Sequence, residues 1–275
     1  MSRTNTAAGN AFEIAAIYGA LPQVEAVALA GSLGSGMGDA SSDLDLYVYV
    51  REEIPTAVRR EIAEARAVWA EVDNRFWETG DEWVEAGSGL GIDVMFRRKD
   101  WIEEQLDRLL RRYEAAIGYT TCVWHNVRTS HPLHDPSGWL AAILRLAGQT
   151  YPEPLRRAIV AKNHPILRRN LSSYTRQIER AASRGDRVSI NHRTAAFLAS
   201  YFDILFALNR LPHPGEKRLV AFARERCEMK PEGMESAIGA LLDQVGKDGK
   251  QASEICRVLV DGLDFLLREE GLVER

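Results

Sequence analysis

Residues 24–50 read VEAVALAGSLGSGMGDASSDLDLYVYV, two short β-prone runs, 24–30 and 43–50, separated by a loop rich in Gly and Ser. Residues i and i+2 of a strand share a face. In the second run Asp43 and Asp45 therefore stand on one side, and Leu44, Leu46, Val48 and Val50 on the other, where they can pack on helices. Downstream, 56–70 (TAVRREIAEARAVWA) alternates charged and apolar positions at helical spacing. A Trp-rich stretch, 72–86, leads through AGSGLG to a third strand at 92–97. An amphipathic helix follows at 99–116 and a further strand at 119–127, and LHDPSG at 133–138 is turn chemistry. From 139 onward the pattern is helical, over 139–147, 152–182, 188–210, 216–227, 233–244 and 250–269, with no strand candidate. The expected fold class is α+β: a small mixed-sheet domain, 1–138, followed by an all-helical domain, 139–275.

Composition narrows the function classes. The 275 residues hold 35 Lys and Arg against 39 Asp and Glu, a net charge of -4. That balance argues against a chain whose main task is gripping long nucleic acid, but allows a small anionic ligand in one local basic pocket. Cys122, Cys227 and Cys256 are widely spaced and form no CxxC, so they read as reduced thiols. The N-terminal stretch lacks a long apolar segment, and no run reaches 18 apolar residues. A cytoplasmic protein with no membrane partner is the expectation.

The chemistry concentrates around Gly31-Ser32, ten residues, then Asp43-Leu44-Asp45. Two adjacent carboxylates repel unless a cation sits between them. Magnesium prefers carboxylate oxygens and keeps positions for water and substrate phosphates. Asp93, in Gly91-Ile92-Asp93-Val94, is a third acid; on a neighbouring strand it completes a triad able to hold two ions for phosphoryl or nucleotidyl transfer. Gly31 lets backbone approach a phosphate, Ser32 adds a hydroxyl and N–H groups, and Ser42 adds another hydroxyl before the first Asp. No GKS or GKT follows, so this is not a Walker loop, and no helix pattern begins at these glycines, as a dinucleotide fingerprint requires. Taken alone, a DxD on a strand is a solvated face and a Gly/Ser loop is a turn; the ordered combination with a third acid carries the specificity.

Gly31-Ser32, the ten-residue spacer, Asp43-x-Asp45 and Asp93 resemble the signature of the polymerase-β-like nucleotidyltransferase superfamily. The neighbourhood resembles its branch of aminoglycoside and lincosamide nucleotidyltransferases, in which a small catalytic domain precedes a helical one. Gly80-Asp81-Glu82-Trp83, Ile92-Asp93-Val94-Met95, Asn209-Arg210 and Pro214-Gly215-Glu216-Lys217-Arg218 resemble an uncharacterised bacterial subfamily of it. The resemblance implies a magnesium-dependent enzyme, with two Mg2+ ions on Asp43, Asp45 and Asp93. It implies transfer of a nucleoside monophosphate, AMP from ATP, to a hydroxyl of a small acceptor, with release of pyrophosphate. Gly31, Ser32 and Ser42 would contact the nucleotide, and Lys217, after the Pro214-Gly215 turn, would start a helix and reach the triphosphate; its alternative is a solvated face. Relatives often form homodimers. The competing functions are nucleotidylation of a protein or tRNA end, and a nucleotide-binding regulator or antitoxin without turnover.

Other residues carry bland readings. His125, His131 and His134 form local hydrogen bonds, and Trp77 and Trp83 line an acceptor pocket or pack in a core. The arginines at 156, 157, 168, 169, 176 and 180 read as a solvated helical face. Tyr201, Phe202, Leu205 and Phe206 read as core between the domains.

Overall fold

The two β-prone runs form adjacent antiparallel strands, and a computed structural model of the chain describes them within residues 3–36, 38, 42–76 and 78–274. Helix α1 (Arg3–Gly19) precedes β1 (Val24–Leu29); a single turn, α2 (Gly31–Gly34), leads toward β2 (Leu44–Val50). Helix α3 (Thr56–Glu64) is followed by β3 (Ala67–Asn74), β4 (Gly80–Glu85) and β5 (Gly91–Arg98). Then come α4 (Lys99–Leu110), α5 (Cys122–Arg128), β6 (His131–His134) and α6 (Trp139–Ala147). The strands make one sheet in the order β3-β4-β5-β2-β1-β6, in which β2 and β5 run parallel and every other neighbouring pair is antiparallel.

Period-two alternation explains how the sheet is covered. Leu44, Leu46, Val48 and Val50 are buried with Ile14 and Tyr18 of α1, Ala63 of α3, and Ile92 and Val94 of β5. Arg59 of α3 is also buried, bonded to Asp81 at 2.9 Å and Asp73 at 2.8 Å, so α3 is fixed to β3 and β4 by charge as well as packing. On the other face the far half of β2 is covered too: Arg97 lies 3.8 Å over the Tyr47 ring, and Tyr49 meets Trp139 edge-on at 5.1 Å. The near half of that face, at Asp45, stays partly open.

The chain divides into two compact units, residues up to 107 with 126–149, and residues 108–125 with 150–275. The second contains α7 (Glu153–Arg168), α8 (Tyr174–Ser183), α9 (Arg187–Leu208), α10 (Leu219–Arg226), α11 (Met234–Val245) and α12 (Gly249–Glu269). A buried polar cluster explains why 108–125 joins it. Asp203 of α9 accepts hydrogen bonds from the Thr120 N–H and hydroxyl and from Asn163 of α7, and Asn163 in turn accepts from the Gly118 N–H. Burial pushes the Asp203 carboxyl up to about 7, against the pull of those donors. Tyr201, Phe202, Leu205 and Phe206 belong to the core of this helical unit itself, with Phe197 stacked on Tyr201 at 6.0 Å.

Several elements differ from the sequence expectation. The helix expected over 56–70 stops at Glu64, because Trp69, Ala70 and Val72 pair with β4 and that partner lies outside any local window. The strand expected over 119–127 is the helix α5: its β-rich composition misleads, while burial at Thr121, Trp124, His125 and Val127 has helical spacing. Residues 131–134, at the edge of the expected turn, instead form β6. The helix over 99–116 ends at Leu110, and 152–182 breaks at 169–173, where Ser173 takes the N-cap position of α8. No helix among the described residues is long and apolar enough to cross a membrane.

Candidate functional site

The open half of the sheet face carries a row of acids. Asp45 of β2 and Asp93 of β5 are in-register partners on parallel strands, about 4.8 Å apart along the sheet. Glu82 is the partner of Asp93 on β4, and Glu71 the partner of Glu82 on β3. Side chains in register share a face, so four carboxylates stand side by side across β2, β5, β4 and β3. Partial burial pushes the Asp93 carboxyl up to about 7, with further upward pressure from Asp45, Glu82, Asp43 and Glu78. The last two of these draw Asp43 and Glu78 into the same field. Glu78 is itself clamped to Arg97 by two hydrogen bonds, at 2.6 and 2.8 Å.

Two glycines make room for two of the carboxylates. Asp43 lies immediately before β2, exposed, and a Cβ added to Gly91 would sit 2.2 Å from its Oδ1. Gly31 has φ +59°, and a Cβ there would sit 1.8 Å from Oδ2 of Asp45. Gly31 is therefore required twice over, by its left-handed backbone and by the carboxylate packed against it. The expectation that no helix begins at these glycines is corrected by α2, which turns at once at Gly31: Gly34 and Ser35 N–H groups bond back to the Ala30 and Gly31 carbonyls. In so short a helix the N–H groups of Gly31, Ser32 and Leu33 have no intrahelical acceptor. Ser42 lies one residue before Asp43 and is half-buried, as is Ser32.

Asp43, Asp45 and Asp93 are thus brought into one field beside the Gly31-Ser32 turn. Among the described residues no three acidic, His or Cys side chains already converge around a common metal position. The donor set still fits a hard cation in its chemistry: carboxylate oxygens alone, no softer ligand, and an Asp93 carboxyl pushed upward by burial and by acidic neighbours, a crowding that a cation would relieve. An ion held there would take its remaining ligands from water and phosphate.

One comparison reaches only part of the chain. Residues 124–219 match the family described as a domain of unknown function (DUF4037). The stretch is shorter than half of the chain; it contains Asn209-Arg210 and Pro214 to Arg218 but none of the acids above. No curated protein matches the chain. Among solved structures, a nucleotidyltransferase-like protein from Exiguobacterium sibiricum is 14% identical with a TM-score of 0.39, over 95% of this chain and 74% of that one. A CCA-adding enzyme from Thermotoga maritima, complexed with tRNA, is 12% identical with a TM-score of 0.29, over 97% and 83%. Likenesses this distant carry no argument, so the reading of the site rests on its own geometry.

The remaining candidates fall as follows. Lys217 belongs to the helical unit and is exposed in a turn; α10 begins two residues later at Leu219, so Lys217 does not start that helix. Trp83 is buried, its indole N–H donating to Glu85, and is core, not pocket lining. Trp77 lies outside the described residues. The expected local hydrogen bonds of the three histidines are instead contacts to distant parts of the chain: His131 bonds the Gly34 carbonyl at 2.8 Å, the His134 ring packs on Gly19, and His125 meets the edge of Phe222. Sequence reasoning missed Glu82 and Glu71 as members of the acid row. No local signal placed them there, because the alignment of Glu82 with Asp93 needs the pairing of β4 with β5, and that of Glu71 with Glu82 the pairing of β3 with β4.

Proposed function

We propose that the sheet unit is a magnesium-dependent nucleotidyltransferase that moves AMP from ATP to a hydroxyl of a small acceptor and releases pyrophosphate. The observation that carries this reading is the in-register pair Asp45–Asp93 with the Gly31 turn packed against the Asp45 carboxylate. Asp43, Asp45 and Asp93 would hold Mg2+, which when bound neutralises the triphosphate and the departing pyrophosphate. The first turn of α2 offers backbone N–H groups to phosphate oxygens, and Ser32 and Ser42 add hydroxyls. Asp93, beside the position the ion would take, is the carboxylate placed to accept the proton of the acceptor hydroxyl.

The test is pyrophosphate release from ATP and Mg2+ across a panel of hydroxyl-bearing acceptors. Asp45→Asn and Asp93→Asn keep shape and remove charge, so each should abolish release while circular dichroism stays unchanged. Asp93→Asn should spare nucleotide binding more, because one ion travels with the triphosphate. Full turnover in Asp45→Asn would exclude the reading. Lys217→Ala tests whether the helical unit takes part: loss of a charge-assisted phosphate contact, worth about 1.5–3 kcal/mol, raises KM for ATP by roughly tenfold or more. An unchanged KM would assign Lys217 to a solvated surface.

A further inference from the structure

The net charge of -4 conceals a strong local imbalance. Between residues 168 and 193 the chain holds seven arginines, no lysine, and two acids, Glu179 and Asp186. Arg176 and Arg180 lie one turn apart on α8, and Arg184 follows at the end of that helix. Beside them opens a groove of about 520 Å3, lined by Arg168, Thr175, Arg176, Glu179, Arg180 and Arg257. Its charges are not equally engaged. Arg168 is held by Asp261 and Asp264, and Arg257 by Glu179 and Glu254. Asp186 caps α9, accepting from the Ser189 N–H and hydroxyl. Arg176 and Arg180 are exposed and enter no ion pair among the described residues.

Like charges at i and i+4 destabilise a helix by a few tenths of a kcal/mol. Here the nearest acid, Glu179, is turned to Arg257. Two uncompensated guanidinium groups therefore face a groove whose other walls are Arg168 and Arg257, each held by salt bridges, with Thr175 and the Glu179 that pairs with Arg257. Guanidinium forks match phosphate oxygens two at a time, which a lysine ammonium does not. We propose that this groove, formed by α8, α12 and the end of α7, binds a ligand carrying two or more neighbouring phosphoryl groups. Such groups occur in a nucleoside polyphosphate and, spaced along a backbone, in a phosphodiester chain. The proposal does not depend on the acid row, which lies in the other unit and needs a cation to receive phosphate.

Calorimetric titration of the full chain in EDTA with inorganic pyrophosphate, and separately with a short oligouridylate, tests it. Pyrophosphate should bind well above sulfate. The double variant Arg176→Gln/Arg180→Gln should weaken it by about tenfold or more, as loss of charge-assisted contacts requires. Arg176→Lys/Arg180→Lys, which keeps the charge and loses the fork, should fall in between. Asp45→Asn should bind pyrophosphate as the parent chain does, which separates this groove from the proposed active site. An oligouridylate that displaces pyrophosphate, with affinity falling steeply as salt rises, would assign the ligand to a polymer; pyrophosphate binding without oligonucleotide binding would assign it to a small molecule. Pyrophosphate binding no tighter than sulfate, with no oligonucleotide binding, overturns the proposal. So does equal binding by the glutamine double variant.

Discussion

Gly31 is where backbone and chemistry constrain each other most tightly. Its φ of +59° lies in the left-handed region, and the space a side chain would fill already holds the Asp45 carboxylate. Gly31→Ala should therefore do two separable things. The backbone strain costs about 1–2 kcal/mol of stability, read as a lower denaturant midpoint. Displacing the Asp45 carboxylate should remove pyrophosphate release almost completely, a far larger effect than the stability loss explains. Substitution at Gly36, also left-handed (φ +72°) but with open space around its Cβ position, is the control and should show the strain alone. If Gly31→Ala and Gly36→Ala lose activity equally, the packing of Gly31 on Asp45 has no functional weight. This part of the site was legible early, because alternation along a strand is local: Asp45 follows from Leu44 and Leu46 facing the core. Glu82 and Glu71 were not legible, because register across β4 and β3 is a property of pairing and not of either strand alone.

At the scale of elements, the sheet is tied to its covering helices by buried charge as well as by apolar packing. Glu25 of β1 is buried and accepts from Arg51 at the end of β2 at 2.6 Å, from Lys99 at the start of α4 at 3.1 Å, and from Ser137 before α6. The Arg51 bond is the main reason its carboxyl is held down at about 2, with Ser137 and Lys99 adding to it against burial. A depressed carboxylate contributes stability above its unfolded pKa, near 4.5, and loses it as pH falls toward about 2. Glu25→Gln should cost about 1.5–3 kcal/mol at pH 7, the usual loss for hydrogen bonds to a charged group. The gap between variant and parent should narrow steadily below pH 4.5. Urea unfolding at pH 7 and pH 3 measures it; a gap that stays constant would show that the charge of Glu25 is not what joins these elements. None of this was readable in advance, since Glu25 looks like one polar position in the β-prone run VEAVALA. The same limit explains α5, where the β-prone run from Tyr119 to Val127 suggested a strand until its buried positions fixed the helical period. It explains β3 as well, where the strand forms because β4 is available to pair.

On the scale of the whole molecule, charge is sorted between the units: an acid row on the sheet, an arginine groove among the helices. The sheet carries Asp45, Asp93, Glu82 and Glu71 in register, a repulsion that a cation with a phosphate ligand would relieve. A ligand that binds only the folded state stabilises it by about 2.7 kcal/mol at a hundredfold excess over Kd. Mg2+ with ATP should supply that to the sheet unit, raising its melting temperature by roughly 5–15 °C for a unit of this size. ATP in EDTA should leave the sheet unit where it was, yet still protect the helical unit through Arg176 and Arg180. Amide hydrogen exchange resolves the two effects, because protection reports opening segment by segment. With Mg2+ and ATP, amides of β2 and β5 should slow; with ATP and EDTA, only those of α8 and α12 should slow. In Asp45→Asn the β2 and β5 response should vanish while the α8 response persists. Slowing of β2 and β5 by ATP in EDTA, equal to that with Mg2+, would mean the acid row meets the nucleotide without a cation, and the metal-dependent reading would fall.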